Sequence, residues 1–339
     1  MKKTLILFTL CCCQFLPAIS QKIKFNSDWL FQRLDGIERN YEIANQGTNW
    51  EDQFNITHTA LDSELKVAED TLKAEFQEIY SRGWESVTLP HIPKVEDLVV
   101  LRQWQGICYY KKEIEYSPKW NNKKILLEFE GAMHLADIWV NGQHIMQHAG
   151  GYDPFVIDLT GLLHTDKKNE VLVRLDNRNN PLIPPGKPLE TLDFCYYGGI
   201  YRNVNLILKP QEVFISHPIL ANEIAGGGVF ITYPKVSEEL AEVNVKTHIV
   251  NESHAKKELS INQSLVELKG LYGNYRKGKI VASDENKMHL DGNQSLHLNQ
   301  LLSVNQPRLW STEVPNLYLL VTKVYNGDKL VEQQEKINI

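Results

Sequence analysis

The chain has 339 residues, of which 42% are hydrophobic and 23% charged, with a formal net charge of −6. That is ordinary globular composition, long enough for two domains, and it excludes a disordered chain. The acidic balance disfavours a nucleic-acid partner or an anionic membrane surface.

Lys2 and Lys3, the apolar run from Leu5, and the small residues Ala18 and Ser20 read as a secretory signal peptide over 1–20, and hence as a periplasmic or secreted protein. A lipoprotein ranks second, because Cys11 and Cys12, not a small pair, precede Cys13. After residue 20 no apolar run approaches the ~18–20 residues that span a membrane. The remaining cysteines, Cys108 and Cys195, could pair in an oxidising compartment, but two lone thiols in a large domain are more often free. No CxxC or other zinc spacing exists, so neither metal nor cofactor is expected.

Residues 25–31 open with aromatics spaced like an edge strand. Over 59–82 the period changes: Leu61, Leu65, Ala68, Leu72, Phe76 and Ile79 recur every three or four residues. This spacing predicts an amphipathic helix with Thr59 and Asp62 as a capping pair. Residues 84–93 are extended and end at prolines. Strand-like segments follow at 107–116, 124–130, 135–148, 156–159, 171–176 and 200–208. Within 135–148, Asn141-Gly142 between alternating segments is a type I′ hairpin signal, since both turn residues need positive φ.

Lys209-Pro210 marks a boundary. Beyond it, segments at 229–233, 243–251, 258–268, 295–302, 317–325 and 329–339 alternate apolar and polar residues, which fits an immunoglobulin-like sandwich. Gly226-Gly-Gly228 lacks the Lys-Ser/Thr and helix of a phosphate loop. The expected architecture is all-β: signal peptide 1–20, jelly-roll sandwich 21–210 and immunoglobulin-like sandwich 211–339. No βαβ alternation appears, which argues against a nucleotide-binding fold.

Several short motifs, in this order, resemble glycoside hydrolase family 2, the β-galactosidase and β-glucuronidase relatives. Phe25-Asn-x-x-Trp-x-Phe31, Leu89-Pro-His91, Trp139-Val-Asn-Gly142, Gly150-Gly-Tyr-x-Pro-Phe155, Asp158-Leu-Thr160, Val173-x-x-Asp-Asn177 and Gly199-Ile-Tyr-Arg-x-Val204 resemble its sugar-binding jelly roll. Pro307-x-Leu-Trp310 and Pro315-x-Leu-Tyr318 resemble its second domain. In the family a (β/α)₈ barrel carries the two catalytic glutamates of a retaining mechanism, roughly 5 Å apart. No βα repeat is legible in this sequence, so the barrel is expected to be absent and the chain inactive by itself. Asn169-Glu170, Asn222-Glu223 and Asn251-Glu252 mimic the family's Asn-Glu motif at strand edges or turns of the wrong domains, and no catalytic residue is assigned.

The resemblance implies that Asp193, six residues before Gly199, reaches towards the sugar, since a carboxylate accepts hydrogen bonds from adjacent hydroxyls. Tyr196 and Tyr197 in the same segment either stack on a sugar face or pack against a barrel. Arg202 is expected to fix the loop through backbone or carboxylate bonds. Trp139 and Asn141 read as structural. His144 and His148 are four apart, a metal spacing only on a helix. Ile92 departs from the acid usual beside His91. The implied partners are a β-galactoside-like carbohydrate and a catalytic barrel, and a homo-oligomer is left open. A β-glucuronidase-type member, a stand-alone carbohydrate-binding module and an adhesion sandwich are the competing readings.

Overall fold

The computed structural model describes residues 20–34, 65–95, 103–270 and 273–338. The leader expected over 1–20 lies outside these residues, apart from Ser20. The chain divides into two compact units, Gln21–Leu208 and Lys209–Ile339.

In the first unit, a six-stranded sheet runs in the order β3 (Glu85–Val87), β2 (Trp29–Leu34), β4 (Ile107–Ile114), β9 (Asn169–Asp176), β6 (Leu135–Val140), β7 (Gln143–Ala149). A four-stranded sheet runs β1 (Gln21–Lys24), β10 (Val204–Pro210), β5 (Lys123–Phe129), β8 (Phe155–Asp158). Alternate residues of both sheets, among them Trp29, Tyr110, Val173, Leu127, Phe155 and Leu206, meet in one apolar core. This is the layered solution that period-2 patterning demands, one apolar face per sheet buried against the other.

The β6–β7 turn sits at Asn141 (φ 52°) and Gly142 (φ 81°), the two positive φ values of a type I′ turn. The amide of Asn141 also donates to Leu162 O (3.0 Å) and Asn169 Oδ1 (2.9 Å), tying the hairpin tip to the next crossing. Both faces of β6 are buried, because helix α1 (Glu69–Ser81) packs Phe76 edge-on against Trp139 at 5.3 Å.

Helix α1 starts later than its periodicity predicts. Thr59 and Asp62 lie outside the described residues; the N-cap is Ala68, without a side-chain cap, and acids Glu69 and Asp70 occupy the first turn. Acids there favour the positive end of the helix dipole. Leu65 is not on the helical stripe; it packs with Leu135 and Ile183.

In the second unit, the sheet β15 (Arg276–Leu290), β14 (Lys257–Lys269), β17 (Tyr318–Asn326), β18 (Lys329–Asn338) faces a sheet built on β13 (Leu240–Asn251). Strand β13 pairs β11 (Val213–Ile215) and β12 (Val229–Val236), and on its other edge β16 (Gln294–Asn305). A four-residue helix α2 (Pro218–Ala221) joins β11 to β12. Odd-numbered β13 residues point inward with Leu259, Ile261, Leu265, Leu320 and Val324 opposite. An immunoglobulin-like sandwich results.

Candidate functional site

Three of the family-like loops of the first unit, those of His91, Gly150-Gly151 and Gly199, meet beside Met133, and glycines set their spacing. Gly199 has φ 92°, and a Cβ there would lie 2.6 Å from Tyr110 Oη and 2.7 Å from His91 O, so only glycine lets these segments meet. Its carbonyl accepts from Met133 N (3.0 Å), and Ile200 O accepts from His91 N (2.9 Å). Tyr201 Oη donates to Gly151 O at 2.6 Å, which joins the Gly150-Gly-Tyr152 loop to the same rim.

The segment carrying Asp193 is anchored behind this rim by an amide network. Gln105 Nε2 donates to Asn177 O (3.1 Å), Asn179 Oδ1 (2.8 Å) and Tyr196 Oη (2.9 Å). Asn179 Oδ1 also accepts from Leu189 N (3.2 Å), and Asn177 Oδ1 accepts from Gly106 N (2.8 Å). Asn177 leaves so little room beside Gly198 that a Cβ there would sit 2.7 Å from its Nδ2.

Tyr196 is therefore part of the frame. It is 4% exposed, packs with Met133 and Leu189, and its hydroxyl is bonded. Neither face of its ring is open for stacking on a sugar or packing on another domain, which corrects both alternatives expected for it. Tyr197 is half-buried, and Asp193 is exposed on the outer side of the segment beside Phe194 (47% exposed) and Cys195. Phe194 and Tyr152 are the open aromatic faces of this rim that sequence reasoning missed, because an aromatic in a turn carries no periodicity. Arg202 is exposed with its guanidinium 5.7 Å from the Tyr201 ring centre, so a cation–π contact stands where carboxylate or backbone bonds were expected.

His91 faces inward. Its ring packs edge-on against Phe31 at 4.6 Å, its Nδ1 lies 2.9 Å from Tyr110 Oη, and burial holds its pKa below the ordinary value against the pull of Glu85. His144 and His148 go to different partners: His144 Nε2 to Asp137 Oδ1 (3.1 Å), His148 Nε2 to Gly150 O (3.0 Å). Cys108 is buried and Cys195 exposed, both free thiols.

None of the three Asn-Glu pairs resembles a catalytic arrangement. Asn169 is buried and bonds Ile114 O and His164 O, while Glu170 accepts from Tyr80 Oη at 2.6 Å. Asn251 is buried and donates to Ala255 O, Leu290 O and Asp291 O. Glu223, by contrast, meets His248 and His297, which are remote from it in sequence and were not singled out. The motifs around Trp310 line an open apolar pocket of about 390 Å³ with Tyr233, Val243, Leu265, Leu309 and Tyr318, which offers little to sugar hydroxyls.

The chain thus consists of two consecutive β-sandwiches, the first bearing a loop rim with an exposed acid and exposed aromatics. The profile described as "Glycosyl hydrolases family 2, sugar binding domain" matches residues 48–210, and that described as "Glycosyl hydrolases family 2" matches residues 224–337. The chain belongs to glycosyl hydrolase family 2.

A β-glucuronidase of Bacteroides fragilis is 30% identical over 254 residues, 73% of this chain and 33% of that protein. A β-galactosidase of Bacteroides ovatus is 25% identical over 326 residues, 95% of this chain and 32% of that protein. The crystal structure of a Bacteroides uniformis β-glucuronidase superposes with a TM-score of 0.68 at 22% identity, covering 94% of this chain and 32% of that one, a likeness of fold. The chain spans about a third of the length of the curated relatives it matches.

Proposed function

We propose that this chain supplies the sugar-binding and immunoglobulin-like portion of a secreted family 2 β-glycosidase of β-galactosidase type. Residues 1–20 act as its export signal. The bond-breaking carboxylates reside outside these residues, on a barrel that the two sandwiches support. The observation that carries the reading is the exposed Asp193, held at the rim where the family's loop motifs meet, on a segment whose rear is locked by Gln105, Asn177, Asn179 and Tyr196. A carboxylate so placed accepts hydrogen bonds from sugar hydroxyls, and the half-buried Tyr197 and exposed Phe194 offer ring faces beside it.

Aryl β-galactosides and aryl β-glucuronides incubated with the purified chain test this. No turnover of either is expected; turnover that Asp193→Ala alone abolishes would move the chemistry into this unit and overturn the proposal.

A second reading, a self-sufficient carbohydrate-binding module, draws support from the same rim, and β-glucuronides are the alternative substrate because both activities occur among the relatives. Calorimetric titration with galactose and glucuronate separates the two readings. A supporting module binds at millimolar affinity or weaker, whereas micromolar binding lost in Asp193→Ala would favour the self-sufficient module.

A further inference from the structure

We propose that Glu223, His248 and His297 form a binding site for a zinc-class divalent cation on the outer face of the β13–β16 pair. The proposal is independent of the sugar-binding reading. It begins with strand register: His248 of β13 and His297 of β16 are directly opposite each other in the antiparallel ladder. Directly opposed residues project on the same face with Cβ atoms about 4.5–5.5 Å apart. Their neighbours Thr247, Ile249 and Leu298 point to the core side, so the two imidazoles stand on the outer surface, stacked at 4.2 Å with an interplanar angle of 21°.

The third donor arrives from the β11–β12 connection. Helix α2 ends at Asn222 in the left-handed conformation (φ 49°), which turns the chain so that Glu223 reaches back over the sheet. Glu223 Oε2 lies 2.6 Å from His297 Nε2, and Oε1 lies 3.6 Å from His248 Nδ1. One donor atom from each of the three side chains falls within 4.8 Å of the others. A Cβ on Gly226 would stand 2.6 Å from Glu223 Oε2, so a residue without a side chain leaves the carboxylate its place.

His248 Nδ1, the ring nitrogen nearest Glu223, is shared with Ser216. Ser216 Oγ accepts from Gly228 N (2.7 Å) and sits 3.0 Å from His248 Nδ1. His248 is 6% exposed; its Nδ1 faces Ser216 and Glu223, and its Nε2 has no partner among the described residues.

Two imidazoles and one carboxylate match the borderline-soft ions that form three protein bonds and keep a fourth position for water, whereas Ca²⁺ and Mg²⁺ require oxygen shells. Bonds of about 2.0–2.2 Å in tetrahedral array put ligand atoms roughly 3.3 Å apart. The His248–Glu223 contact at 3.6 Å is near this already, the Glu223–His297 contact at 2.6 Å has to open by about 0.7 Å, and the His297 ring has to rotate out of its stack on His248 so that both lone pairs meet one ion. Glu223 can supply that opening, being in a loop. Lys246 faces the same group, and its charge opposes a cation and weakens the expected affinity. A bound ion would fasten the 216–228 connection to the sheet.

The test is equilibrium dialysis and calorimetry of the full chain, freed of metal by chelation, with ZnCl₂, CoCl₂, CaCl₂ and MgCl₂. The expected result is one Zn²⁺ or Co²⁺ per chain at micromolar Kd and no Ca²⁺ or Mg²⁺ at the same concentration. His297→Ala and Glu223→Ala should each weaken Zn²⁺ binding at least tenfold, and Zn²⁺ should raise the Tm of the wild type but of neither variant. Bound Co²⁺ should lack thiolate charge-transfer absorption, which separates this site from Cys11–Cys13 and Cys195. If His297→Ala fails to fold, Glu223→Ala carries the test from its surface loop. Absence of Zn²⁺ binding, thiolate-type Co²⁺ spectra, or affinity unchanged in Glu223→Ala would overturn the proposal.

Discussion

Arg174 and Glu75 form a doubly hydrogen-bonded ion pair, Nε to Oε2 at 2.7 Å and Nη2 to Oε1 at 3.1 Å, between the middle of β9 and the inner face of α1. Arg174 is 1% and Glu75 3% exposed. Tyr109 Oη also donates to Glu75 Oε2, and Asp137 and Asp176 lie 3.9 and 3.8 Å from the guanidinium. The helix is thus held to the sheet by a buried charge as well as by Phe76 and Ile79.

Removing one partner strands the other in a low-dielectric site. Glu75→Ala should destabilise the first unit by about 3–5 kcal/mol in urea unfolding. Joint replacement, Glu75→Leu with Arg174→Met, should lose much less, since apolar isosteres often match a buried pair. Equal losses in the single and joint variants would show that packing, not charge, holds the helix.

That pair marks a boundary of what the sequence discloses. The 3.6-residue stripe of Leu72, Phe76 and Ile79 reveals the helix, and period-2 segments reveal the strands of both cores. Glu75 reads as a polar face residue, and nothing local says that Arg174, 99 residues away, will meet it. Strand β15, the longest described, escaped sequence reading because it is an edge strand studded with Lys277, Lys279, Asp284, Glu285 and Lys287. Charges that block edge-to-edge pairing also erase apolar alternation. At the rim, the Gly199-Ile-Tyr-Arg202 motif located the loops. The inward orientation of Tyr196 and outward orientation of Phe194 depend on Gln105 and Asn179, which only tertiary packing supplies.

His134 gives a pH dependence with a definite sign. Burial pushes its imidazole pKa down to about 4, against the opposing field of Asp176, and its Nδ1 has no partner. Between that value and its ordinary 6.5 the unfolded chain binds a proton that the folded chain refuses. Stability should therefore fall as pH drops from 6.5 to 4, by about 3 kcal/mol from this group, and level off below. Asp176 acts lower: burial raises its carboxyl, but Arg178 and Arg174 prevail and hold it below 3.8. His134→Gln should flatten the profile from pH 6.5 to 4 and leave the loss below it. An unchanged slope in the upper window would refute the assignment.

Glycine substitution separates two kinds of turn. At Gly142, φ is 81° with open space around the position, so Gly142→Ala should cost about 1 kcal/mol from backbone strain alone. At Gly199 the methyl group would also enter the contact between Tyr110 and His91, which raises the expected loss to on the order of 3 kcal/mol. Denaturant midpoints of the two variants measure the difference. Similar values would mean that the rim yields and that Gly199 does not set its spacing.

The rim residues should divide cleanly between frame and surface. Tyr196→Phe removes a buried hydroxyl bonded to Gln105 Nε2 and Asn179 Oδ1, both of which keep other partners inside the unit, and should cost about 0.5–1.5 kcal/mol. Asp193→Asn changes an exposed side chain and should move stability by less than about 0.5 kcal/mol. If Asp193 meets sugar, the same substitution should weaken any measurable galactose or glucuronate binding several-fold, because an amide accepts through one oxygen where the carboxylate offers two. Paired urea titrations and sugar titrations read both axes. A destabilised Asp193→Asn would place the acid in the frame beside Tyr196, and its role at the rim would then be the capping of its own turn.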